Sequence, residues 1–203
     1  MKVCYTRGDE MHSICVFCGS NTGAGGAYVE AARRLARAIA GRRLKLVYGG
    51  GSIGLMGVLG DAALAAGGHV IGVTPRRLLE KEVVHRGLTE LRVVETMQER
   101  KALMAELSDG FISLPGGLGT LDELTEMLTW NQLGLHRKSS ALLDVDGYFD
   151  SLTAFLDHAV AQRFITPQHR AMLIVERDPE AVLDRLASAQ PPEVSKWMDR
   201  KPV

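Results

Sequence analysis

The stretch from Pro115 to Glu123, PGGLGTLDE, places a glycine-rich turn, a hydroxyl and two carboxylates within nine residues. Gly116, Gly117 and Gly119 let a backbone turn sharply and bring its N–H groups close to a ligand, which bulkier residues would obstruct. Phe111, Ile112 and Leu114 just before them read as a buried strand, and helical periodicity runs from Leu121 to Leu133. A glycine turn between strand and helix offers an anion the free N–H groups of the first helical turn. Glu123, about one turn into that helix, would reach a sugar whose phosphate rests on the turn. The chemistry expected is that of a nucleoside 5′-monophosphate site. Thr120-Leu121-Asp122-Glu123 is also the pattern of a capping box, so Glu123 has a structural reading beside the chemical one, and neither excludes the other.

A second group comes from the segment MQERK. At 100° per residue, Met97, Leu103, Met104 and Leu107 share one arc of a helix over Met97 to Leu107, while Gln98, Glu99 and Glu106 share the opposite one. Arg100 projects into the apolar arc. An inward guanidinium must find an anion or acceptor, through either a structural ion pair or a ligand contact. Lys101, at the edge of the arc, is placed to touch a ligand or to snorkel to solvent.

The elements that must position these groups alternate along the chain. Strands are expected at Ile14 to Cys18, Leu44 to Tyr48, His69 to Val73, Leu91 to Val94, Gly110 to Leu114, Ala141 to Val145 and Met172 to Val175. Helical periodicity marks Tyr28 to Ala40, Gly54 to Ala66, Met97 to Leu107, Leu121 to Leu133, Phe149 to Gln162 and Pro179 to Leu186. This order predicts an α/β fold, a Rossmann-like three-layer sandwich around a mostly parallel sheet of about seven strands. One domain is expected over residues 13–188, with an irregular N-terminal extension at 1–12 and an irregular tail at 189–203.

Ligands of such sheets bind beyond the carboxyl ends of the strands. Three segments fall there: Cys18-Gly19-Ser20-Asn21, the run from Tyr48 through Gly50 and Gly51 to Gly54, and PGGLGTLDE. Gly49, Gly51 and Gly54 spell the dinucleotide pattern G-x-G-x-x-G. The acidic residue that should hold a ribose at the end of the next strand is replaced by Thr74 and Pro75, which argues against NAD or FAD. The glycines also have the simpler reading of tight strand-to-helix turns. No Walker loop is present.

Composition narrows the class further. The 203 residues carry 24 basic and 24 acidic side chains, so there is no basic field for nucleic acid. No apolar run approaches the roughly 18 to 20 residues of a membrane span. The first residues, MKVCYTRGDEMHS, lack a signal-peptide core, which predicts a cytoplasmic protein, and Met11 offers an alternative start. Cys15 and Cys18 form a literal C-x-x-C. On a strand their side chains point to opposite faces, so they read as buried structural cysteines and not as a redox pair. No metal-ligand cluster is recognisable.

PGGLGTLDE, preceded by MQERK and followed by TWNQLGLHRK, closely resembles the Lonely Guy (LOG) family of cytokinin-activating nucleoside 5′-monophosphate phosphoribohydrolases. The likeness extends over Ser13 to Leu186, through SICVFCGS, YGGGSIGLMG and HVIGVTP. It implies cleavage of the N-glycosidic bond of an N6-substituted adenosine monophosphate, giving free base and ribose 5-phosphate. It makes Arg100 and Glu123 the catalytic pair. Its implied substrate-binding set is Ser20, Gly50, Gly51, Glu82, Met97, Lys101, Gly116, Gly117, Leu118, Gly119, Thr120, Leu121, Asp122 and Thr129, with no cofactor and no metal. Gln98 stands where many members have histidine, and Ser139 where proline often follows the HRK segment. Many relatives carry an older label of lysine decarboxylase, which does not suit this chain: 203 residues leave little room for a pyridoxal-phosphate enzyme, and no lysine sits in a recognisable cofactor motif. Family members form homodimers or larger assemblies with the active site near the interface, and Met127, Leu128 and Trp130 on the Leu121 to Leu133 helix are candidates for that surface. The alternatives are a noncatalytic nucleotide or molybdenum-cofactor carrier and a broad-specificity AMP/GMP nucleosidase.

Overall fold

Short apolar strands of four to six residues, each followed by a helix, leave a parallel sheet as the way to pair every strand. The computed structural model, which describes residues 11–79 and 84–189, shows that sheet. Its strands are β1 (Ser13–Phe17), β2 (Lys45–Tyr48), β3 (Val70–Pro75), β4 (Glu90–Val94), β5 (Gly110–Ser113), β6 (Ser139–Leu143) and β7 (Leu173–Glu176). They lie in the order β4-β3-β2-β1-β5-β6-β7, with every pairing parallel. The helices are α1 (Gly26–Gly41), α2 (Gly54–Ala65), α3 (Arg76–Leu79), α4 (Met97–Glu106), α5 (Leu118–Gln132), α6 (Asp150–Ala161), α7 (Pro167–Arg170) and α8 (Pro179–Ser188).

The central strand shows how the sequence builds three layers. All five residues of β1 are buried, and its alternate side chains enter different cores. Ile14 and Val16 pack with Leu35 and Ile39 of α1, Leu55 and Leu59 of α2 and Leu183 of α8. Cys15 and Phe17 pack on the other face with Met104 of α4 and Met127 of α5. A smaller cluster of Leu124, Leu142, Phe149 and Leu173 extends that second face beneath α6. Cys15 and Cys18 accordingly fall in different clusters and are both free and buried. Burial first, then the nearby Glu123 carboxylate, raises both thiols well above their ordinary range, so neither is a ready nucleophile.

Several boundaries differ from the sequence expectation. α5 starts at Leu118, not Leu121, and β6 starts at Ser139, where two buried serines pair with Gly110 and Phe111 and hide the strand from an apolar count. The short α3 and α7 have too few residues to show a helical period. Met127 is core and therefore is not available as an interface residue, as the sequence had allowed. The expected extension at 1–12 and tail at 189–203 lie almost wholly outside the described residues. Among the described residues no helix is long and apolar enough to cross a membrane.

Candidate active site

β1 hydrogen-bonds to β2 on one side and β5 on the other, so the loops after β1 and β5 diverge from neighbouring strands at the point where the sheet order reverses. That crevice is where a parallel sheet offers a ligand site. The three glycine segments meet there. Gly19 N donates to Pro115 O at 3.1 Å, and Leu55 N donates to Gly19 O at 3.1 Å, tying the β1 loop to the other two. Gly54, at φ +61°, abuts the Ser20 backbone so closely that a Cβ would lie 2.2 Å from Ser20 C. A Cβ on Gly116 would lie 2.1 Å from Thr120 Oγ1. Gly50, at φ +72°, takes the left-handed conformation beside Gly72 of β3, and Gly51 bridges to Val84.

Gly117 is the N-cap of α5, and no side chain caps this helix start. The capping box read at Thr120 to Glu123 does not form: Thr120 is already the third helical residue, and Glu123 lies nearly two turns in. The same T-x-x-E pattern does cap α4. There Thr96 Oγ1 accepts from Glu99 N at 3.1 Å, and Glu99 Oε2 accepts from Thr96 N at 3.2 Å. Glu123 is thereby released for another role. Gly117, Leu118 and Gly119 are exposed, and a Cβ on Gly117 or Gly119 would meet no protein atom within 4 Å. Packing within the chain does not require glycine at those two positions.

Arg100 reaches Glu123 from α4. Its Nη1 lies 3.2 Å from Glu123 Oε1, and its Nε donates to the Val73 carbonyl at 3.0 Å in the carboxyl half of β3. Each side chain of the pair is only 10% exposed, so the charges have left most of their water and depend on one another. Gly49 closes the far side, with its absent Cβ only 2.0 Å from Arg100 Nη2. Gly49, which in the sequence reads as part of a dinucleotide pattern or of a tight turn, makes room here for a guanidinium. Lys101 Nζ lies 3.0 Å from Asp122 Oδ2 and 3.0 Å from Glu126 Oε2, the second by proximity alone, and joins α4 to α5 beside the pair. Met97 is half-exposed at the start of α4.

Burial raises the pKa of Glu123, and Arg100 partly opposes that shift. Asp122 adds to the rise. A reaction that needs ionised Glu123 therefore loses rate as pH falls through a midpoint above the ordinary glutamate value of about 4.5. The pH profile of kcat/KM should show that acidic limb, and Asp122→Asn should move it to lower pH by removing a like charge. A limb unmoved by Asp122→Asn would detach it from Glu123.

Ser20, Gly50, Gly51, Met97, Lys101 and the run Gly116, Gly117, Leu118, Gly119, Thr120, Leu121 and Asp122 all lie at or beside this crevice. Thr129 does not. It sits about 9 Å further along α5 by helical rise, donates Oγ1 to Thr125 O at 2.7 Å, and faces a cleft bordered by Leu156, Ile165 and His169. Glu82 lies outside the described residues. Tyr148, which carried no sequence signal, donates its hydroxyl to the Gly116 carbonyl at 2.6 Å. In the HRK segment, Lys138 Nζ donates to Ala105 O at 2.6 Å, and the His136 ring packs on Phe111 and Trp130. No cluster of metal-ligating side chains occurs among the described residues.

A parallel sheet with a guanidinium–carboxylate pair beside an uncapped, glycine-led helix start defines a Rossmann-like protein with a candidate site at its switch point. The family model described as "Possible lysine decarboxylase" matches residues 56–186. An Arabidopsis thaliana protein named cytokinin riboside 5′-monophosphate phosphoribohydrolase is 46% identical over 178 residues, covering 88% of this chain and 82% of its own. A Rhodococcoides fascians protein of the same name is 49% identical over 177 residues, covering 87% and 89%. The chain belongs to this LOG family. Among solved structures, the molybdenum cofactor carrier protein of Chlamydomonas reinhardtii superposes with a TM-score of 0.68 at 21% identity, over 88% of this chain and 99% of that one. A molybdenum cofactor binding protein from Rippkaea orientalis gives 0.65 at 24% identity, over 85% and 94%. At those identities the likeness is one of fold.

Proposed function

We propose that this protein hydrolyses the N-glycosidic bond of adenosine 5′-monophosphates, N6-substituted ones included, and releases free base and ribose 5-phosphate. The observation that carries this reading is the buried Arg100–Glu123 pair beside the exposed N-terminus of α5, in a chain nearly half identical to enzymes with that name. The phosphate would rest on the N–H groups from Gly117 to Thr120, where the first turn of a helix has donors to spare. Its binding energy then holds the ribose over Glu123.

Breaking the C1′–N bond sends the electron pair to the base and leaves positive charge on the sugar. A preorganised carboxylate stabilises that charge more than it stabilises the neutral ground state. Glu123 also takes a proton from the water that attacks C1′, and the base nitrogen that receives the electron pair takes up a proton from solvent, so that free base and ribose 5-phosphate result. Arg100 is too basic to be a general acid. Its part is to hold Glu123 in place and to donate hydrogen bonds toward the departing base. The reaction requires no metal or cofactor, its substrate is a soluble nucleotide rather than nucleic acid or lipid, and we place it in the cytoplasm.

We also propose a homodimer with the site near its interface. Leu118 opens α5 at the mouth of the site with 86% exposure, and Phe155 and Phe164 are 64% and 87% exposed. On α6, Leu152 and Leu156 pack partly against the Leu124 cluster, whereas Phe155 faces outward. Apolar surface of this kind commonly marks association. Incubation with AMP, GMP, CMP and isopentenyladenosine monophosphate tests the reading: adenine-type bases should appear with the first and last. Equal release from GMP would make the protein a broad nucleosidase, and bound pterin with no cleavage would make it a carrier.

A further inference from the structure

Beyond β6 the chain makes a turn whose purpose the catalytic pair does not explain. Tyr148 N donates to Val145 O at 3.0 Å, and the two residues between them, Asp146 and Gly147, have φ of +53° and +72°. That is the pattern of a type I′ turn, for which Asp-Gly is a favoured pair. The turn is fixed on both sides. Asp144, only 2% exposed, accepts from Phe149 N at 2.9 Å and lies 3.2 Å from Arg177 Nε, while Phe149 is buried with Leu124, Leu142 and Leu173. Tyr148 stands between these anchored residues and is 43% exposed. Its ring meets Phe149 and Tyr28 edge to face, with centroids 5.0 and 5.7 Å away. Its hydroxyl ends 2.6 Å from Gly116 O.

We propose that Tyr148 is a positioning residue that sets the anion-binding turn by holding the Gly116 carbonyl. The inference rests on the reading that the α5 N-terminus receives a phosphate. A trans peptide is planar, with its C=O and N–H on opposite sides, and no cis bond occurs among the described residues. Fixing the Gly116 carbonyl toward Tyr148 therefore aims the Gly117 N–H away from it, toward the uncapped helix start. Two consecutive glycines have little conformational bias of their own, so this peptide would rotate readily without a partner. The hydroxyl supplies what the glycines cannot. Tyr148 never touches the phosphate. It fixes one donor before the ligand arrives, which reduces the ordering cost of binding.

Tyr148→Phe keeps the ring contacts and removes one O–H. Titration calorimetry with ribose 5-phosphate should show about a tenfold weaker Kd, the scale of one oriented hydrogen bond to an anion. The Kd for free adenine should change less than twofold, because the base does not lie on the turn. In turnover of AMP, KM should rise about tenfold and kcat fall much less. Equal losses of affinity for adenine and ribose 5-phosphate would reduce Tyr148 to a packing residue, and an unchanged ribose 5-phosphate Kd would overturn the proposal outright. If wild-type protein binds ribose 5-phosphate but cleaves no nucleotide, the proposed reaction fails while the titration still decides the role of Tyr148. If wild-type protein binds no ribose 5-phosphate, the anion site and this inference fall together.

Discussion

Glu123→Gln should leave a folded protein whose release of ribose 5-phosphate is slower on the order of a thousandfold, the scale lost when a preorganised charge and a general base are removed together. The fold should survive because glutamine keeps an oxygen that can accept from Arg100 Nη1. A carboxyl whose pKa rises on folding stabilises the fold only when protonated, below its unfolded value, and that contribution is lost as pH rises through the folded value. At neutral pH the ionised Glu123 is thus held against its burial. Removing its charge relieves that cost while leaving Arg100 with a weaker acceptor, two effects of opposite sign. Circular dichroism and a melting curve would show the intact fold, and a coupled ribose 5-phosphate assay would show the lost rate. Near-normal turnover would remove Glu123 from the chemistry.

The second large effect is expected at a residue with no side chain. In Gly49→Ala the new methyl would sit 2.0 Å from Arg100 Nη2 and 3.1 Å from its Cζ. Arg100 cannot yield without breaking its contact to Val73 O, to Glu123 or to both. A shift of about 1 Å in such a group costs roughly a hundredfold in kcat/KM. Overpacking of this kind also costs about 1–3 kcal/mol of stability. Gly41→Ala is the matched control: nothing lies within 4 Å of its added methyl, so rate and stability should hold. Wild-type kinetics in Gly49→Ala would show that Arg100 needs no fixed seat.

How much of this was readable beforehand follows from what each pattern encodes. The central strands β1, β3 and β5 are buried on both faces and show as apolar runs, the exposed edge strand β4 is legible only through Leu91, Val93 and Val94, and the parallel order follows from the intervening helices. The inward direction of Arg100 was legible because a charge interrupted an apolar arc. T-x-x-E occurs twice, at Thr96 and Thr120, and sequence cannot say which copy caps its helix. That depends on where the chain turns, and Gly117, extended at φ −92° and ψ −153°, starts α5 early enough to carry Glu123 past the cap. The contact between Gly49 and Arg100 joins residues from different elements, and so does the bond from Tyr148 to Gly116. Neither leaves a local signature. Thr129 shows the converse: a residue implied by family likeness lies on α5 apart from the pair in its own chain.

Glu123 and Arg100 are expected to break a ribosyl bond only in a nucleotide held by its phosphate. Isopentenyladenosine monophosphate and its dephosphorylated nucleoside, incubated separately with wild-type protein, test it most directly when base and sugar are both quantified. The monophosphate should yield isopentenyladenine and ribose 5-phosphate in equal amounts, and the nucleoside should react at least about a hundredfold more slowly. Equal rates for the two, or no base released from either, would contradict it.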